Sequence, residues 1–254
     1  MEEEVKKVSL FVVSVLLITA VLLSACTSGG TTKVRVASDA TWPPFEMVDE
    51  TTKELIGFDI EMVNAIAAEA GLEVEFVNVG FDPLLAGISQ CQYDAAVSAI
   101  TITADRSANM LFSDPYLNAG QIVTVKIDNT TINSKDDLSG KTVGAQIGTT
   151  GAIEVEGIAG ATLTTFDTVD LAYLALQNGQ IDAVVADSPT AAGFVAQNAD
   201  KLKMVGSVFT DENYGIAVCK TNTELLAKIN AGLAAIKANG TFDALLAKYA
   251  LVAK

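Results

Sequence analysis

The sequence predicts an α/β protein in which buried, mostly parallel strands alternate with helices. Half of the 254 residues are hydrophobic, which is enough for a sizeable core in one or two domains. From Lys33 onward, short apolar segments with strand character alternate with segments whose apolar residues recur at helical spacing. A short pattern also occurs twice, as QYDAAVSA at 92–99 and QIDAVVAD at 180–187. Unless this repeat is a coincidence, the chain folds as two similar lobes.

The N-terminal segment predicts export. Residues 8–25 are apolar and uncharged and follow two lysines, so they are long enough either to span a membrane or to act as a secretory signal. The end of this run, LSAC at 23–26, resembles a bacterial lipoprotein lipobox. That resemblance implies a signal peptide at 1–25, a lipid (palmitate) on Cys26 and a flexible tether at 26–32. An uncleaved anchor helix is the alternative, and both interpretations place the folded part outside the cytoplasm.

The first half of the folded part alternates three strands with two helices. Strands are predicted at 33–38 (KVRVAS), 72–79 (LEVEFVNV) and 94–99. Helical spacing between the first two strands predicts a helix with Asp59 as its N-cap and Gly71 as its stop. Asp82 and Pro83 open a second, shorter helix, since proline suits a first helical position.

The same order restarts after Gly140. Strands are predicted at 141–146, 181–186 and 202–206. Helices are predicted at 167–178, from Ser188, from Thr221 and at 241–250. For the helix that begins near Thr221, we expect Glu224 to complete a capping box with this threonine. A glycine-rich turn at 148–152 follows the first strand of this half.

Polar residues follow the strand at 94–99, at the point where it ends. The planar guanidinium of Arg106 can bind a carboxylate through two parallel hydrogen bonds, although a single arginine is more commonly a surface residue. Thr101 offers a hydroxyl and a backbone N–H that is free once the strand stops pairing. Ligands in open α/β sheets gather beyond the carboxyl ends of strands, so these residues indicate a binding site.

Two further candidates lie at the ends of strands in the second half. The turn GTTG at 148–151, which contains Thr149 and Thr150, offers N–H groups to an anion but lacks the lysine of a nucleotide P-loop. Asp187 ends the second copy of the repeat and can accept hydrogen bonds from an ammonium group. Its alternative role is local, together with Ser188, in capping the helix that follows.

The loop after the first strand and the start of the segment after the second strand supply an apolar slot and a carboxylate. Trp42 and Phe81 can face each other across a ligand, although Phe81 can equally be part of the core. Asp39 can meet a distal amino, amide or guanidinium group. These candidates match the groups of a free α-amino acid. The fixed cation and the spare N–H donors suit its carboxylate, the carboxylates suit its ammonium group, and the flat slot suits its side chain. The net charge of −15 argues against a nucleic-acid partner.

Seven segments in order resemble the solute-binding proteins of ABC importers that serve polar amino acids. They are ASDATWPPFE (37–46), GFDIEMVNAIA (57–67), YDAAVSAITITADR (93–106), FSDPYLNAGQ (112–121), IGTTG (147–151), DAVVADSP (182–189) and YGIAV (214–218). The resemblance implies a two-lobed, type II periplasmic-binding-protein-like fold whose α/β lobes are joined by two hinge strands. Lobe 1 would comprise 33–117 and 215–254, and lobe 2 would comprise 118–214 with the hinge strands.

The same resemblance implies a role for each candidate residue. Arg106 and the N–H groups of Thr101 and Thr149, beside Thr150, would hold the α-carboxylate. Asp187 and the Ser98 carbonyl would hold the α-amino group, and Ala99 is small where the ligand passes. Trp42 and Phe81 would sandwich the side chain and Asp39 would meet its polar end.

The preferred amino acid is less closely constrained by the resemblance. An aspartate with flanking aromatics is typical of binders of arginine, lysine and histidine, which favours a basic side chain at Asp39. Glutamine binders share that aspartate, so glutamine remains the alternative. Ala186 and Ile147 are apolar where relatives often carry polar residues, and this departure leaves the choice of amino acid open.

The spacing of Cys91 and Cys219 allows either a disulfide or two free thiols. In the family fold the strand YGIAVC runs antiparallel beside CQYDAAVSA, so the resemblance implies that the two cysteines bridge. It also implies closure of the lobes on one amino acid and delivery to a membrane permease. We expect a monomer with no cofactor, no metal and no nucleic-acid partner.

The chain contains no histidine, and we expect a binding protein rather than an enzyme. Some relatives of this architecture are dehydratases, in which a carboxylate or threonine can do acid–base work. A sensor domain that feeds a membrane kinase or chemoreceptor is a third interpretation.

Overall fold

A computed structural model describes residues 33–251, which contain two five-stranded sheets. The predicted signal peptide, lipobox cysteine and tether at 1–32 lie outside the described residues. No helix within residues 33–251 is long and apolar enough to cross a membrane.

The first sheet is built from strands at both ends of the described chain. Its strands are β1 (Val34–Ser38), β5 (Val74–Asn78), β6 (Ala95–Ala96), β7 (Leu111–Phe112) and β15 (Ala217–Val218). Their order is β5-β1-β6-β15-β7; β5 and β6 run parallel to β1, and β15 runs antiparallel to β6 and β7. The region around this sheet is called lobe 1.

The second sheet repeats this arrangement. Its strands are β9 (Gln121–Lys126), β10 (Thr142–Gln146), β11 (Thr162–Phe166), β12 (Ala183–Asp187) and β13 (Leu202–Val205). Their order is β11-β10-β12-β9-β13, with β11 and β12 parallel to β10 and β9 antiparallel to β12 and β13. The two copies of the repeated sequence pattern occupy equivalent places, since β6 follows β1 in one sheet and β12 follows β10 in the other. The region around this sheet is called lobe 2.

Two antiparallel strands connect the lobes. They are β8 (Leu117–Ala119) and β14 (Glu212–Tyr214), paired from Leu117–Tyr214 to Ala119–Glu212. Gly120 follows β8, and a Cβ at this position would collide with the carbonyl oxygen of Thr210, so the close approach of the two connections requires glycine. A smaller sheet in lobe 1 contains β2 (Thr41–Trp42), β3 (Glu46–Val48) and β4 (Leu55–Ile56).

Helices cover both sheets. They are α1 (Phe58–Ala70), α2 (Phe81–Ser89), α3 (Ala104–Asn109), α4 (Thr150–Glu156), α5 (Val169–Gln177), α6 (Ser188–Gln197), α7 (Thr223–Ala238) and α8 (Thr241–Lys248), with a 3₁₀ turn at Lys135–Leu138. Gly71 ends α1 in the left-handed conformation, as the sequence predicts. The apolar face of α1 packs with α7 and α8 in the main core of lobe 1.

Two predicted helix caps are wrong. The N-cap of α1 is Gly57, whereas Asp59 lies inside the first turn and is fully buried, because buried donors from other segments attract its carboxylate. The N-cap of α7 is Asn222, whose side chain accepts the backbone N–H of Leu225. Glu224 therefore completes no capping box with Thr221 and instead forms an ion pair with Lys228 at 2.9 Å.

Cys91 and Cys219 form a disulfide in lobe 1, with their Cα atoms 4.9 Å apart. The pairing follows from the sheet, because β15 runs antiparallel beside β6 with Val218 opposite Ala95. The bridge lies at the amino end of β6. The residues that follow the carboxyl end of the same strand are those expected to bind a ligand.

Candidate ligand-binding site

Nine of the ten residues predicted to hold a ligand line one small pocket. The lining residues are Trp42, Phe81, Ser98, Ala99, Thr101 and Arg106 of lobe 1, together with Thr149, Thr150 and Asp187 of lobe 2. The tenth, Asp39, is buried and accepts a hydrogen bond from the backbone N–H of Phe81. Residues from the two halves of the chain therefore meet at one place.

Arg106 is held where a strand gives way to a short helix. Thr103 caps α3, and its hydroxyl accepts the backbone N–H of Arg106 at 3.1 Å. The guanidinium donates to the carbonyl oxygen of Thr101 at 2.8 Å and, across to lobe 2, to the carbonyl oxygen of Gly148 at 3.0 Å. It also lies over the ring of Phe81, 5.3 Å from the centroid. Burial lowers the pKa of Arg106, and the negative charges of Asp187 and Glu212 oppose this shift.

The backbone at Ser98 and Ala99 has an unusual conformation. Strand β6 ends at Ala96, earlier than the predicted strand at 94–99, and Ala99 adopts a positive φ of 44°. Non-glycine residues rarely occupy this region, which carries a cost of about 1–3 kcal/mol when the surrounding structure imposes it. The N–H of Ala99 donates to the buried carboxylate of Asp59 at 2.8 Å, and this bond stabilises the turn.

Asp39 is bound by donors from both lobes. Its carboxylate accepts the hydroxyl of Thr41 at 3.0 Å, the N–H of Phe81 at 3.1 Å and the side-chain amide of Gln146 at 2.6 Å. Burial raises the pKa of Asp39, and these hydrogen bonds oppose that shift. The oxygen of the Gln146 amide accepts the indole N–H of Trp42.

Trp42 and Phe81 are in contact with each other. Their ring centroids are 6.3 Å apart and their planes are inclined by 35°. Both rings line the same pocket. The sandwich of a ligand side chain between them stays a prediction.

The two threonines of the glycine-rich turn have different partners. Thr149 caps α4 by accepting the N–H of Ala152 and donates its hydroxyl to the carbonyl oxygen of Gln146 at 2.7 Å. Thr150 begins α4 and donates to the carboxylate of Glu212 at 2.8 Å.

Asp187 lies at the carboxyl end of β12 and is buried. Its side chain makes no helix cap and accepts hydrogen bonds from the amide of Gln121, at 2.7 Å, and from the hydroxyl of Tyr214. The alternative capping role therefore fails for this residue. Burial raises the pKa of Asp187 to about 6, with nearby Glu212 acting in the same direction, while the two hydrogen bonds and Arg106 oppose the shift.

Glu212 joins the lobes from the hinge strand β14. One carboxylate oxygen accepts the hydroxyls of Thr101, at 2.6 Å, and Thr150, at 2.8 Å, which belong to opposite lobes. The other accepts Gln121 at 3.0 Å and Thr210 at 2.8 Å. Four donors thus converge on a residue that is only 7% exposed.

The family model for bacterial extracellular solute-binding proteins, family 3, matches residues 34–252. The chain belongs to this family. The ABC transporter arginine-binding protein 1 of Escherichia coli K12 is 34% identical to it over 235 residues, covering 89% of this chain and 95% of the relative.

Two solved structures show the same architecture as this family 3 solute-binding protein. An ancestral arginine-binding protein, solved with bound glutamine, is 42% identical with a TM-score of 0.82, covering 85% of this chain and 97% of the other. The arginine-, lysine-, histidine-binding protein ArtJ of Geobacillus stearothermophilus is 34% identical with a TM-score of 0.81, covering 86% and 95%. The two-lobed fold predicted from the sequence is confirmed.

Several residues that shape the pocket of this solute-binding protein were missed by sequence reasoning. Gln146 ends the buried strand β10 just as Asp187 ends β12, so the same rule about strand ends identifies it. Gln121 and Glu212 lie on the two connections between lobes, where no local pattern distinguishes them. Among residues 33–251, no group of three or more His, Cys, Asp or Glu side chains could hold a metal ion.

Proposed function

We propose that this protein captures one free L-amino acid with a cationic side chain between its lobes and delivers it to the membrane permease of an ABC importer. The observation that carries the proposal is the pocket itself, in which Arg106 of lobe 1 and Asp187 of lobe 2 line the same small space. An α-amino acid presents a carboxylate and an ammonium group a few bonds apart. A pocket with a guanidinium and a carboxylate on its walls complements both groups.

The α-carboxylate binds Arg106 in this proposal. Two of the five guanidinium N–H groups already donate to backbone carbonyls, which fixes the plane of the fork and leaves donors for the ligand. The backbone N–H groups of Thr101 and Thr149 complete the carboxylate site. Because Arg106 also donates to Gly148 of lobe 2, closure of the lobes and assembly of this site are coupled.

The α-ammonium group binds Asp187, together with the carbonyl of Ser98 and the hydroxyl of Thr101. Gln121 and Tyr214 hold the Asp187 carboxylate in position. The Thr101 hydroxyl donates its proton to Glu212, so its oxygen remains able to accept from the ammonium. Ligand binding therefore adds a donor to groups that are already ordered, which limits the entropy lost on binding.

Charge favours a basic side chain. Asp39, Asp187 and Glu212 bring three carboxyl groups to the pocket or its border, against the one guanidinium of Arg106 among the residues described there. The α-ammonium and α-carboxylate groups of an amino acid add no net charge to this excess of carboxyl groups. A lysine- or arginine-type side chain adds a positive charge beside Asp39. The relatives named for arginine, lysine and histidine support the same choice.

Glutamine is the second candidate, on a specific observation. Asp39 already accepts an amide N–H from Gln146 at 2.6 Å, so an amide is a suitable partner for this carboxylate. The ancestral arginine-binding protein solved with glutamine supports this alternative. A ligand amide would have to share Asp39 with Gln146 or displace it.

The wider organisation is part of the proposal. Residues 1–25 act as a signal peptide, lipidated Cys26 anchors the protein to the outer side of the membrane, and 26–32 form the tether. Lobe 1 comprises 33–117 and 215–254, and lobe 2 comprises 118–214. The protein acts as a monomeric binding component without catalysis, since its carboxyl groups are engaged in positioning rather than aimed at a reacting bond.

The test is a thermal-shift screen of the purified protein against the twenty amino acids, followed by calorimetry. A ligand that binds only the folded state raises the melting temperature by an amount that grows with the logarithm of its affinity. We expect arginine, lysine and histidine to give the largest shifts. A response to glutamine alone supports the second candidate, and no response to any amino acid refutes both. Chemical change in the recovered ligand would refute the non-catalytic role.

A further inference from the structure

Two carboxyl groups lie directly behind the pocket and take no part in the proposed binding. Glu46 begins β3, and Asp59 lies in the first turn of α1. Both side chains are 0% exposed. Carboxyl groups are rarely buried to this degree unless they are paired, because an ionised carboxylate loses its hydration.

Each carboxyl has one oxygen that binds a pocket residue and one that has no partner. Asp59 accepts the N–H of Ala99 and the hydroxyl of Tyr116, both at 2.8 Å, through the same oxygen. Glu46 accepts the hydroxyl of Ser98 at 2.9 Å. The remaining oxygens, Glu46 Oε2 and Asp59 Oδ1, are buried and lack a hydrogen-bond donor.

No cation compensates the pair within the described part of the chain. None of the ion pairs found in residues 33–251 includes Glu46 or Asp59. The titratable groups that face the pair are the hydroxyl of Tyr116 and the carboxyl of Asp39. The charge of Asp187 also acts on the Tyr116 hydroxyl. None of these groups is positively charged. Two adjacent negative charges in this environment are unfavourable, and one proton between the two carboxyls removes one of them.

We propose that Glu46 carries one proton in the folded protein, that it donates this proton to Asp59, and that the pair positions the Ser98–Ala99 backbone. A proton between the two unpartnered oxygens satisfies both. The part that concerns the pocket rests on the proposed function, whereas the proton sharing does not.

The titration of the two groups agrees with this arrangement. Burial raises the pKa of Glu46 well above its usual range, with the charge of Asp59 acting in the same direction. Burial also raises the pKa of Asp59 to about 6, while hydrogen bonds from Ala99, Tyr116 and Glu46 oppose that shift. The hydrogen bonds point to Asp59 as the ionised acceptor, because Asp59 accepts two donors from its surroundings whereas Glu46 accepts one.

The backbone at Ser98 and Ala99, which the pair contacts, has a conformation that is unfavourable without supporting hydrogen bonds. Ala99 has a positive φ, and its N–H points to Asp59. The Ser98 hydroxyl donates to Glu46 and accepts the backbone N–H of Asp39 at 3.1 Å. Glu46 and Asp59 are thus positioning residues for three pocket residues, although neither lines the pocket.

Infrared spectroscopy of the full-length protein tests the proton directly. The Glu46→Gln variant keeps an oxygen for Ser98 and supplies an amide N–H to Asp59, so it reproduces the protonated acid without a titratable group. We expect wild-type protein at pH 7 to show the C=O band of a buried protonated carboxyl, which Glu46→Gln lacks. The matched control Glu54→Gln, at an exposed position of the same lobe, keeps the band. Absence of the band in the wild type overturns the proposal.

The pH dependence of folding gives a second readout. A carboxyl whose pKa is higher in the folded state favours folding at low pH, and its contribution is lost as pH rises from 4.5 to the raised folded pKa. In that window we expect the folding equilibrium constant of the wild type to fall by up to about tenfold more per pH unit than that of Glu46→Gln. Equal slopes for the two proteins contradict the shared proton.

Ligand binding separates this inference from the proposed function. We expect the exposed control Glu54→Gln to bind arginine like the wild type. We expect Asp59→Ala, which removes the acceptor for Ala99, to bind at least about tenfold more weakly. Unchanged affinity in a folded Asp59→Ala refutes the positioning role. If the wild type binds no amino acid, the proposed function fails while the infrared result still decides whether the proton is shared.

Discussion

The side-chain amide of Gln146 donates to the carboxylate of Asp39 at 2.6 Å, although 107 positions separate the two residues. Gln146 ends strand β10 of lobe 2, and Asp39 follows β1 of lobe 1. The same amide accepts the indole N–H of Trp42, so one side chain of lobe 2 contacts two pocket residues of lobe 1. This contact joins the two lobes at the wall of the pocket.

Gln146→Ala is expected to favour the open arrangement of the lobes. The variant removes one neutral and one charge-assisted hydrogen bond between lobes, which together contribute about 2–4.5 kcal/mol. We expect a larger radius of gyration for the ligand-free variant by small-angle X-ray scattering and weaker arginine binding by calorimetry. Gln180→Ala, an exposed glutamine of the same lobe, should match the wild type. An unchanged radius and affinity in Gln146→Ala would mean that this contact does not support closure.

Asp39→Asn should change selectivity more than stability. The asparagine oxygen can keep the hydrogen bonds from Phe81 and Gln146, which share one carboxylate oxygen, and its amide N–H can donate to the Thr41 hydroxyl. The negative charge that complements a basic side chain is lost. We expect arginine affinity to fall by about 1.5–3 kcal/mol, the usual value of a hydrogen bond to a charged group, while glutamine affinity changes little. Calorimetry with both amino acids measures the ratio of the arginine affinity to the glutamine affinity in each protein. An equal loss for both ligands would show that Asp39 does not discriminate by charge.

Arg106→Ala is expected to abolish measurable amino-acid binding. Removal of one partner of a buried charge pair costs about 3–5 kcal/mol, because the other charge is left unpaired. Arg106→Lys should recover part of the affinity, since lysine keeps the charge without the planar fork. The control is Arg35→Ala, an exposed arginine whose guanidinium contacts Gln92 and Tyr93 away from the pocket. Wild-type affinity in Arg106→Ala would refute the role assigned to the guanidinium.

Arginine binding should weaken as the pH falls below about 6. Burial raises the pKa of Asp187 to about 6, so below that pH the carboxyl takes up a proton and ceases to attract an ammonium group. We expect the affinity to fall by up to about tenfold per pH unit, and the fall to be smaller in Asp187→Asn.

The effect of Asp187 on folding has the opposite sign. Its folded pKa lies above the ordinary value of 3.8, so its contribution to the free energy of unfolding is complete below 3.8 and is lost as the pH rises through about 6. Binding and stability must therefore be measured separately across this range. Arginine affinity that is independent of pH between 5 and 7 would contradict the role of Asp187.

Removal of the disulfide should destabilise the protein without changing its affinity. The bridge joins residues separated by 128 positions, and loop-closure entropy for this length gives a loss of roughly 5 kcal/mol for the Cys91→Ser, Cys219→Ser double variant. Guanidinium-induced unfolding measures the change. Affinity should be unaffected because the bridge lies at the end of β6 away from the pocket. Equal stability of the oxidised wild type and the double variant would show that the bridge does not stabilise the fold.

Local patterns were sufficient to predict the lobes and most of the pocket. The alternation of strands and helices, the repeated Gln-x-Asp-Ala pattern and the stop at Gly71 depend on neighbours in the chain. Polar residues at the ends of buried strands identified Arg106 and Asp187, since the carboxyl edge of a parallel sheet is open to a ligand.

The failures occur where contacts between distant residues override local preference. Asp59 is suited to cap α1 by its position in the sequence, yet its carboxylate turns inward to the N–H of Ala99. No local pattern indicated a partner for the indole N–H of Trp42, which donates to Gln146 of the other lobe.

The sequence by itself determined which side chains lie at the strand ends, because hydrophobic periodicity and turn residues fix the elements locally. Only the tertiary structure decided which of these side chains meet, such as Gln146 with Asp39 and Glu212 with the threonines of both lobes. The physical reason is that a buried hydrogen bond depends on the position of both partners in space. That position is set by the approach of the two lobes, which no local pattern in the chain encodes.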